Sequence, residues 1–354
     1  MGFDGMPRAG IREIAAAAGV SEATVDRVLH GRPNVRPGTA ERVLAAAAAC
    51  RYLPEAEIAR LARPDRKRLT VVFPRSANPF IRGLNHELRE WAQVRDRGAR
   101  IHSYLLDSMD PAVLARSLRR LGRKSDAIAF FGVDHPEVRD EADRLVDQGK
   151  LVLTLISDLT GSRRQGFVGI DNLAAGRTAA FLLASASGGR PGKLAVVAAT
   201  RQFRAHVERE LGFQELIQRD HPNLQFAGTL EGQDDSWTNM QMTLALLDRH
   251  PDLVGIYNVG GSSEGIGMAL RRTGRLGQVR LVGHGFSADT RRMLEEGVMM
   301  AVLTQRNQTL LEVLIDQLHA AEPPAPLPMQ IIFPTNLPGP AHRPGAAPGG
   351  RDRS

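Results

Sequence analysis

Polar and basic side chains gather in residues 21–39, and their types suit contacts with DNA. Arg27 stands out, because a guanidinium can donate two hydrogen bonds to the edge of one guanine. At the start of a helix in the major groove, side chains reach base edges, while capping hydroxyls and amides hold phosphates. We therefore expect Glu22, Ala23 and Arg27 to face bases. The expected phosphate contacts are Ser21, Thr24 and Thr39, with His30 and Asn34 beside them.

Two short helices would have to position these side chains. Apolar residues recur at helical spacing over 11–18 and the pattern stops at Gly19, while Ser21 is placed to cap a second helix over 22–30. Two helices joined by a glycine turn form a helix-turn-helix, whose second helix lies in the major groove. Many two-helix corners need such a turn, so the pattern by itself does not distinguish a DNA-binding motif from an ordinary pair of helices.

The residues from 11 to about 61 resemble the DNA-binding headpiece of the lactose-repressor (LacI) family of bacterial regulators. The similarity is ungapped and rests on I-x-x-I-A…AGVS-x-x-TV-x-RVL, V-R-P-x-T and R-Y-L-P. It implies a three-helix DNA-binding domain over 9–53, with a DNA-reading arginine at Arg27. Asp26 stands where the family usually has serine. A carboxylate repels phosphates, so we expect Asp26 to pair with a neighbouring arginine or to orient Arg27.

The residues over 54–61 are similar to the hinge helix of that family, and 54–68 form the expected hinge and linker. The resemblance implies that this helix folds when two copies meet on DNA, where a leucine at the position of Leu61 wedges into a minor-groove step and kinks it. Glu55 replaces the usual asparagine and Ile58 the usual alanine. An ordinary linker helix is therefore the alternative.

Composition and charge fit a protein that binds a polyanion. The chain has 354 residues, 42% of them apolar, and a net charge of +7. Residues 1–68 carry 12 basic and 8 acidic side chains, against 34 and 31 in the rest of the chain. The excess positive charge is thus concentrated near the N-terminus, as phosphate neutralisation requires. The high arginine content is weaker support, because genomic base composition also produces it.

Several classes of protein are excluded by what the sequence lacks. No apolar run reaches the length of a membrane span, so we expect no membrane partner. The start, MGFDGMPRAG, has no apolar segment of a signal peptide, so we expect a cytoplasmic protein. Cys50 is the single cysteine, which excludes an internal disulfide and a thiolate metal cluster. No cofactor or metal is expected.

The rest of the chain alternates apolar strand candidates with amphipathic helices. Over 69–340 this pattern predicts an α/β domain of parallel sheets covered on both faces and divided into two lobes. The region resembles the type I periplasmic sugar-binding fold, which the repressor family carries as its effector domain. The tail over 341–354, rich in Pro, Gly and Arg, is predicted to be disordered. The lobes implied by the resemblance are about 69–160 with 298–320, and 161–297 with 321–340.

Ligands in open α/β sheets sit at the carboxyl ends of the strands, here in the cleft between the lobes. Polar residues that match the family's sugar contacts follow several strands. The resemblance implies that Asn78 bonds a hydroxyl, Phe80 stacks on an apolar sugar face, and Arg209 forks onto adjacent hydroxyls. A residue of any one of these types at a strand end more often has a structural role, so the prediction rests on all of the expected contacts together. The other members of the expected effector site are Asp158, Asn258 and Gln305.

One departure from the family bears on the ligand. Where the family usually has Asn-Asp, this chain has Asn258-Val259, so a carboxylate that would grip sugar hydroxyls is missing. Gly260, Gly261 and Ser262 follow, and their backbone amides at a helix start would suit an anion. We therefore expect the small carbohydrate-like effector to be a polyol, a sugar acid or a sugar phosphate rather than a simple aldohexose sugar.

The motifs together predict a ligand-responsive regulator that binds double-stranded operator DNA as a homodimer and represses a carbohydrate or polyol operon. A transport-associated sugar-binding protein is the alternative, but it would have a signal peptide and no headpiece. An enzyme is not expected. The glycine-rich loop NVGGSSEG lacks the lysine of a phosphate-binding loop, and no nucleophile–base pair stands out.

Overall fold

The structure, a computed structural model, describes most of the chain. The predicted tail over 341–354 and most of the linker over 54–68 lie outside the described part. The described residues are 10–30, 32, 35–54, 57–58, 67–76, 78–94 and 99–339. They divide between two compact units, one of Met1–Leu69 with Trp91–Ile101 and one of Thr70–Glu90 with His102–Ser354.

Three helices build the headpiece of the first unit: α1 (Ile11–Ala18), α2 (Glu22–Leu29) and α3 (Pro37–Ala49). α1 ends where Gly19 takes a left-handed φ of 64°, and the glycine amide donates to the carbonyls of the preceding turn. The predicted pair of helices and the turn between them are thereby confirmed. The apolar side chains of the three helices share one buried core, made of Ile14, Ala15, Ala18, Val25, Val28, Val43, Leu44, Ala46 and Ala47.

A first sheet has the strand order β2-β1-β3-β4-β5, and β3, β4 and β5 pair in parallel. β3 is buried along its whole length and β4 at all but its first residue, as expected where helices cover both faces of a sheet. The strands are β1 (Lys67–Pro74), β2 (Ala99–Leu106), β3 (Ala127–Phe131), β4 (Leu151–Leu155) and β5 (Gly166–Val168), and the helices α4 (Pro79–Val94), α5 (Pro111–Gly122) and α6 (Pro136–Asp147) connect them.

A second sheet has the order β11-β10-β9-β8-β6-β7, parallel except for β11. Its strands are β6 (Gly192–Ala198), β7 (Leu224–Glu231), β8 (Leu253–Asn258), β9 (Arg280–His284), β10 (Ala301–Thr304) and β11 (Gln330–Ile332). Its helices are α7 (Asn172–Ser187), α8 (Arg204–Asp220), α9 (Ser236–Arg249), α10 (Ser263–Arg272), α11 (Ala288–Glu295) and α12 (Asn307–Asp316). The expected α/β architecture with two sheets is therefore confirmed.

The strand β10 corrects one expected boundary. We expected residues 298–320 to return to the first lobe, but β10 lies inside the second sheet, parallel to β9 and antiparallel to β11. All four of its residues are buried, so both of its edges need strand partners, and β11 supplies the second one. Only the later part of that segment reaches the first lobe, where Asn307 donates to Glu87 at 2.9 Å.

Helices α7 and α8 cross so closely that glycine is required on both sides. A Cβ on Gly176 would lie 2.0 Å from the carbonyl oxygen of Arg209, and a Cβ on Gly212 would lie 2.2 Å from that of Leu173. The two contacts are reciprocal, so each helix provides a flat patch for the backbone of the other. The crossing brings Arg209 of α8 against Asn172 at the start of α7.

No helix among the described residues is both long enough and apolar enough to cross a bilayer.

Candidate functional site

The outer face of α2 carries the predicted DNA contacts. Ser21 caps this helix, and its Oγ accepts a hydrogen bond from the backbone N–H of Thr24 at 3.3 Å. Val25 and Val28 point into the headpiece core, so the opposite face is left to solvent. The DNA contacts themselves stay predictions. Of the predicted residues, Ser21, Glu22, Ala23, Arg27 and His30 are exposed, while Thr24 and Thr39 are half-buried.

Asp26 pairs with residues beyond the end of α2 rather than with Arg27. Its Oδ2 lies 3.0 Å from Nη1 of Arg32, and its Oδ1 lies 3.0 Å from Nδ1 of His30. The expected pairing with a neighbouring arginine is thus formed. Because the carboxylate faces these groups, its repulsion of a DNA phosphate is partly offset.

The hinge is the least described part of the predicted DNA interface. Asn34 and Leu61, predicted to contact phosphate and the minor groove, lie outside the described residues. Ile58 is described, and it packs against the headpiece core. The residue that departs from the family's usual alanine therefore ties the start of the linker to the headpiece.

A cleft opens within the larger unit at the carboxyl ends of its strands. The empty space between its walls is about 610 Å³, a figure that includes volume open to solvent. The residues that line it follow β1, β4, β6, β7, β8, β9 and β10, as expected for parallel sheets. Its apolar walls are Phe80, Ile81, Phe131, Ile156, Phe203 and Leu303.

Arg209 lines the cleft and is almost fully buried. Its Nε donates to Oδ1 of Asn172 at 2.9 Å, and its Nη1 donates to the carbonyl of Val259 at 2.8 Å. Among the described residues, none accepts a hydrogen bond from Nη2. Burial lowers the pKa of the guanidinium, and interactions with Tyr257, Glu208 and Asp234 oppose this shift. Arginine stays charged at neutral pH, so the cleft holds a fixed cation with donor capacity to spare.

Three other predicted effector contacts also line the cleft, namely Asn78, Phe80 and Gln305. Gln305 is buried, and its Nε2 has no hydrogen-bond partner among the described residues. An unpaired buried amide costs about 1–3 kcal/mol, so a ligand acceptor placed there would recover that free energy. Asn78 is already engaged, because its Oδ1 accepts from the amide of Phe80 and its Nδ2 donates to Asp234 at 3.1 Å.

Two predicted contacts do not line the cleft. The carboxylate of Asp158 accepts from Oγ1 of Thr154 at 2.6 Å and is bridged on both oxygens by Arg164. Asn258 is fully buried and folds its amide onto the following loop, donating to Oγ of Ser263 at 2.8 Å. Both side chains satisfy local groups instead of facing the cleft, which corrects their assignment to the effector site.

The cleft includes a carboxylate that the sequence analysis missed. Asp234, in the loop after β7, lines the cleft, and its Oδ1 accepts from the amide of Gly261 at 2.6 Å. Gln233 and Asp234 both have left-handed φ values, 55° and 54°, which cost of order 1–3 kcal/mol each and occur mainly at functional sites. The signal was present in the sequence, since the polar run EGQDDS follows a predicted strand.

Two of the three backbone amides that were expected to suit an anion already have partners. Gly261 donates to Asp234, and Gly260 donates to Oδ1 of Asn258 at 3.2 Å. The hydroxyl of Ser262 donates to the carbonyl of Asp234 at 2.5 Å. The two glycine amides of the expected anion site are therefore engaged by the protein itself.

Two histidines in the lining are held neutral. Burial, reinforced by the Arg209 charge, lowers the pKa of His206 to about 4, against opposing effects of Asp234 and the Thr200 carbonyl. Burial and then Arg209 also lower the pKa of His284 well below its ordinary value. His284 Nε2 shares a 2.5 Å hydrogen bond with the hydroxyl of Tyr257, whose pKa burial raises. The described residues contain no cluster of His, Cys, Asp and Glu arranged to hold a metal ion.

Comparison with known families gives two matches that divide the chain. The family described as bacterial regulatory proteins, lacI family, matches residues 10–55. The periplasmic binding protein domain matches residues 70–322, which is more than half of the chain.

Curated relatives and solved structures agree with this division. Catabolite control protein A of Priestia megaterium is 35% identical over 84 residues, 24% of this chain and only 25% of that protein's length. The HTH-type transcriptional regulator CelR of Thermobifida fusca is 26% identical over 287 residues, 74% of this chain and 77% of that protein. The glucose-galactose binding protein GanP from Geobacillus stearothermophilus has a TM-score of 0.68 at 18% identity, covering 77% of this chain and 99% of that one. The last likeness shows the fold alone.

Proposed function

Since the chain belongs over residues 70–322 to the periplasmic binding protein domain family and carries a lacI-family DNA-binding domain at residues 10–55, we propose that it is a ligand-responsive transcriptional regulator. The headpiece binds operator DNA as part of a homodimer, and the cleft binds a small carbohydrate-like effector. The regulated genes serve carbohydrate uptake or catabolism, and the protein acts on them as a repressor. The names of both curated relatives, a catabolite control protein and a transcriptional regulator, support this function.

One observation carries the effector half of the proposal. Gln305 is buried in the lining of a cleft and leaves its Nε2 without a partner among the described residues. Arg209 lines the same cleft and has a guanidinium nitrogen to spare. Such donors in a cleft that also has apolar rings in its lining suit a molecule with hydroxyl oxygens on its edge and C–H groups on its face.

The ligand acts on DNA binding only through a different affinity for two arrangements of the protein. The cleft is lined by residues of both sheets, and Asn78, after β1, reaches Asp234, after β7. A ligand that bonds residues on both sides therefore favours a closed cleft over an open one. The proposal involves no enzymatic step, and a transport-associated binding protein would not need the headpiece.

The test is a Gln305→Met variant of the full chain, which keeps the side-chain length but removes the amide. The Nε2 of Gln305 has no hydrogen-bond partner among the described residues, so removing it breaks no hydrogen bond with them. We therefore expect normal operator affinity. Effector affinity should fall about tenfold or more, because one buried hydrogen bond contributes about 1–2 kcal/mol. Thermal shift with a panel of sugars, polyols, sugar acids and sugar phosphates finds the effector, and fluorescence anisotropy then follows operator release.

The control is Gln308→Met, a similar change at an exposed residue of α12, which should leave both affinities unchanged. Arg209→Ala should also lose the effector response, although it additionally removes the bonds to Asn172 and Val259. An operator complex that responds equally in wild type and Gln305→Met would rule out the cleft as the effector site.

A further inference from the structure

Asp234 is held in the cleft by three hydrogen bonds, two of them to its carboxylate. Oδ1 accepts from the backbone amide of Gly261 at 2.6 Å, and Oδ2 accepts from Nδ2 of Asn78 at 3.1 Å. The backbone carbonyl of the same residue accepts from Oγ of Ser262 at 2.5 Å. This placement requires backbone strain, because two non-glycine residues of the loop, Gln233 and Asp234, have left-handed φ values. An unconstrained carboxylate on the surface would need neither these hydrogen bonds nor this strained backbone.

The space around Asp234 is closely fitted. A Cβ on Gly260 would lie 2.7 Å from Oδ1 of Asp234, and a Cβ on Gly261 would lie 2.4 Å from Nδ2 of Asn78. Glycine at both positions therefore lets the backbone approach the carboxylate and its partner. The glycines that seemed to offer amides to an anion instead make room for a carboxylate of the protein.

The charges of the lining balance. Arg209 is the cation and Asp234 the anion among the residues that line the cleft, while His206 and His284 are neutral near pH 7. An anionic ligand whose charge lies beside Asp234 is repelled in a partly desolvated site, where repulsion is much stronger than in water. It would also find the amides of Gly260 and Gly261 already bonded.

We propose that Asp234 is the specificity-determining residue of the cleft, and that it selects an uncharged sugar or polyol over the corresponding sugar acid or sugar phosphate. This inference rests on the proposed function, since it concerns the effector of that same site. Asp234 thus takes the part of the carboxylate absent at Val259, from a different loop. The free second lone pairs of its oxygens are the acceptors for ligand hydroxyls.

The experiment compares matched ligands by calorimetric titration of the full-length protein. The pairs are D-ribose with D-ribose 5-phosphate, D-glucose with D-glucose 6-phosphate, and D-galactose with D-galacturonate. We expect a neutral member to bind and its charged partner to bind at least about a hundredfold more weakly. In Asp234→Asn, which keeps an acceptor for Gly261, that ratio should shrink about tenfold or more, because the neutral ligand loses a charge-assisted bond and the anion loses a repulsion.

Two further variants separate selectivity from folding. Asp235→Asn removes the same charge one residue away and keeps the N-cap of α9, since asparagine caps as well as aspartate. It should leave the ratio unchanged. Asp234→Gly removes the carboxylate and suits the left-handed φ of 54°, so it tests the same point if the asparagine variant does not fold.

A sugar phosphate or sugar acid that binds wild type as tightly as its neutral partner would overturn the inference while leaving the regulator intact. An unchanged ratio in both Asp234 variants would overturn it as well. A third outcome is that wild-type protein binds operator DNA but binds neither the neutral nor the charged probes. That outcome refutes the carbohydrate effector itself, and the inference with it.

Discussion

At the scale of single residues, Arg209 serves both the fold and the cleft. Nε and Nη1 bond Asn172 and the carbonyl of Val259, which join the start of α7 to the loop after β8. The guanidinium is thereby held still before any ligand arrives, which lowers the entropy cost of binding. Its charge has a second effect, because it helps to keep the two neighbouring histidines neutral.

His206 should make the stability of the effector domain depend on pH. Its folded pKa of about 4 lies below the ordinary value of 6.5, so between these values the unfolded chain binds a proton that the folded protein does not. The free energy of unfolding should therefore fall as the pH drops from 6.5 to 4, by up to about 3 kcal/mol. Urea denaturation followed by circular dichroism at pH 7.5, 5.5 and 4.5 measures this.

A His206→Gln variant should lose part of that pH dependence. Another part should persist, because His284 has a lowered pKa for the same reason and contributes in the same direction. The same slope of stability against pH in wild type and variant would show that His206 does not carry it.

Arg27 should read a base edge, since its side chain is exposed on the outer face of α2. Replacing it by alanine should weaken specific operator binding by ~1–3 kcal/mol per half-site and weaken binding to random DNA much less. Fluorescence anisotropy on the two DNAs measures both. Arg42→Ala, at an exposed position of α3, removes the same charge and serves as the control. An equal loss on both DNAs would make Arg27 a phosphate contact.

At the scale of elements, the crossing of α7 and α8 sets the position of the cleft cation. The backbone of each helix packs on a glycine of the other, Gly176 or Gly212, so the helix axes can come closer than side chains would allow. That closeness brings Arg209 within 2.9 Å of Asn172. We therefore expect a change in the crossing to affect ligand binding even though neither glycine touches the cleft.

Gly212→Ala should destabilise the effector domain by about 2 kcal/mol or more, because its Cβ would overlap the carbonyl oxygen of Leu173 and backbone atoms cannot easily move away. Calorimetry should show a fall in Tm of several degrees. The matched control is Gly83→Ala in α4, where no atom lies within 4 Å of the added Cβ. This control should raise stability by about 0.5–1 kcal/mol, as alanine does in a helix. Equal effects at both positions would contradict the tight crossing.

At the scale of the whole molecule, the headpiece and the effector domain have different tasks, and their charges differ accordingly. Residues 1–68 carry a net charge of +4, more than the +3 spread over the rest of the chain, from the counts given above. A single headpiece buries too little surface for tight specific binding, which is the reason for proposing a homodimer.

Operator binding should depend steeply on salt and on the dimer. Between 50 and 200 mM salt, we expect the affinity for a palindromic duplex to fall about a thousandfold, as basic contacts to several phosphates on each half-site require. A duplex with one half-site should bind far more weakly. Anisotropy titrations at several salt concentrations measure both, and sedimentation gives the oligomeric state. A monomer in solution that binds a half-site as tightly as the palindrome would contradict this prediction.

Local sequence determined most of the headpiece and the alternation of strands with helices. Gly19 stops α1 because it reaches a left-handed φ freely, and Ser21 caps α2 because its hydroxyl reaches an amide three residues on. These interactions lie within one or two helical turns, so residue types suffice to predict them. The carboxyl ends of the strands were predictable as well, because an apolar run shows where a buried strand ends.

The tertiary structure alone decided which of the polar residues at those ends face the cleft. Asp158 and Asn258 have the expected types and positions, but their side chains hydrogen-bond Arg164 and the loop after β8 instead of facing the cleft. Asp234 is held in the cleft by a hydrogen bond from Asn78, which lies 156 residues earlier in the chain. A hydrogen-bonding group binds whichever partner the packed chain brings to it, and no local pattern records a partner that distant.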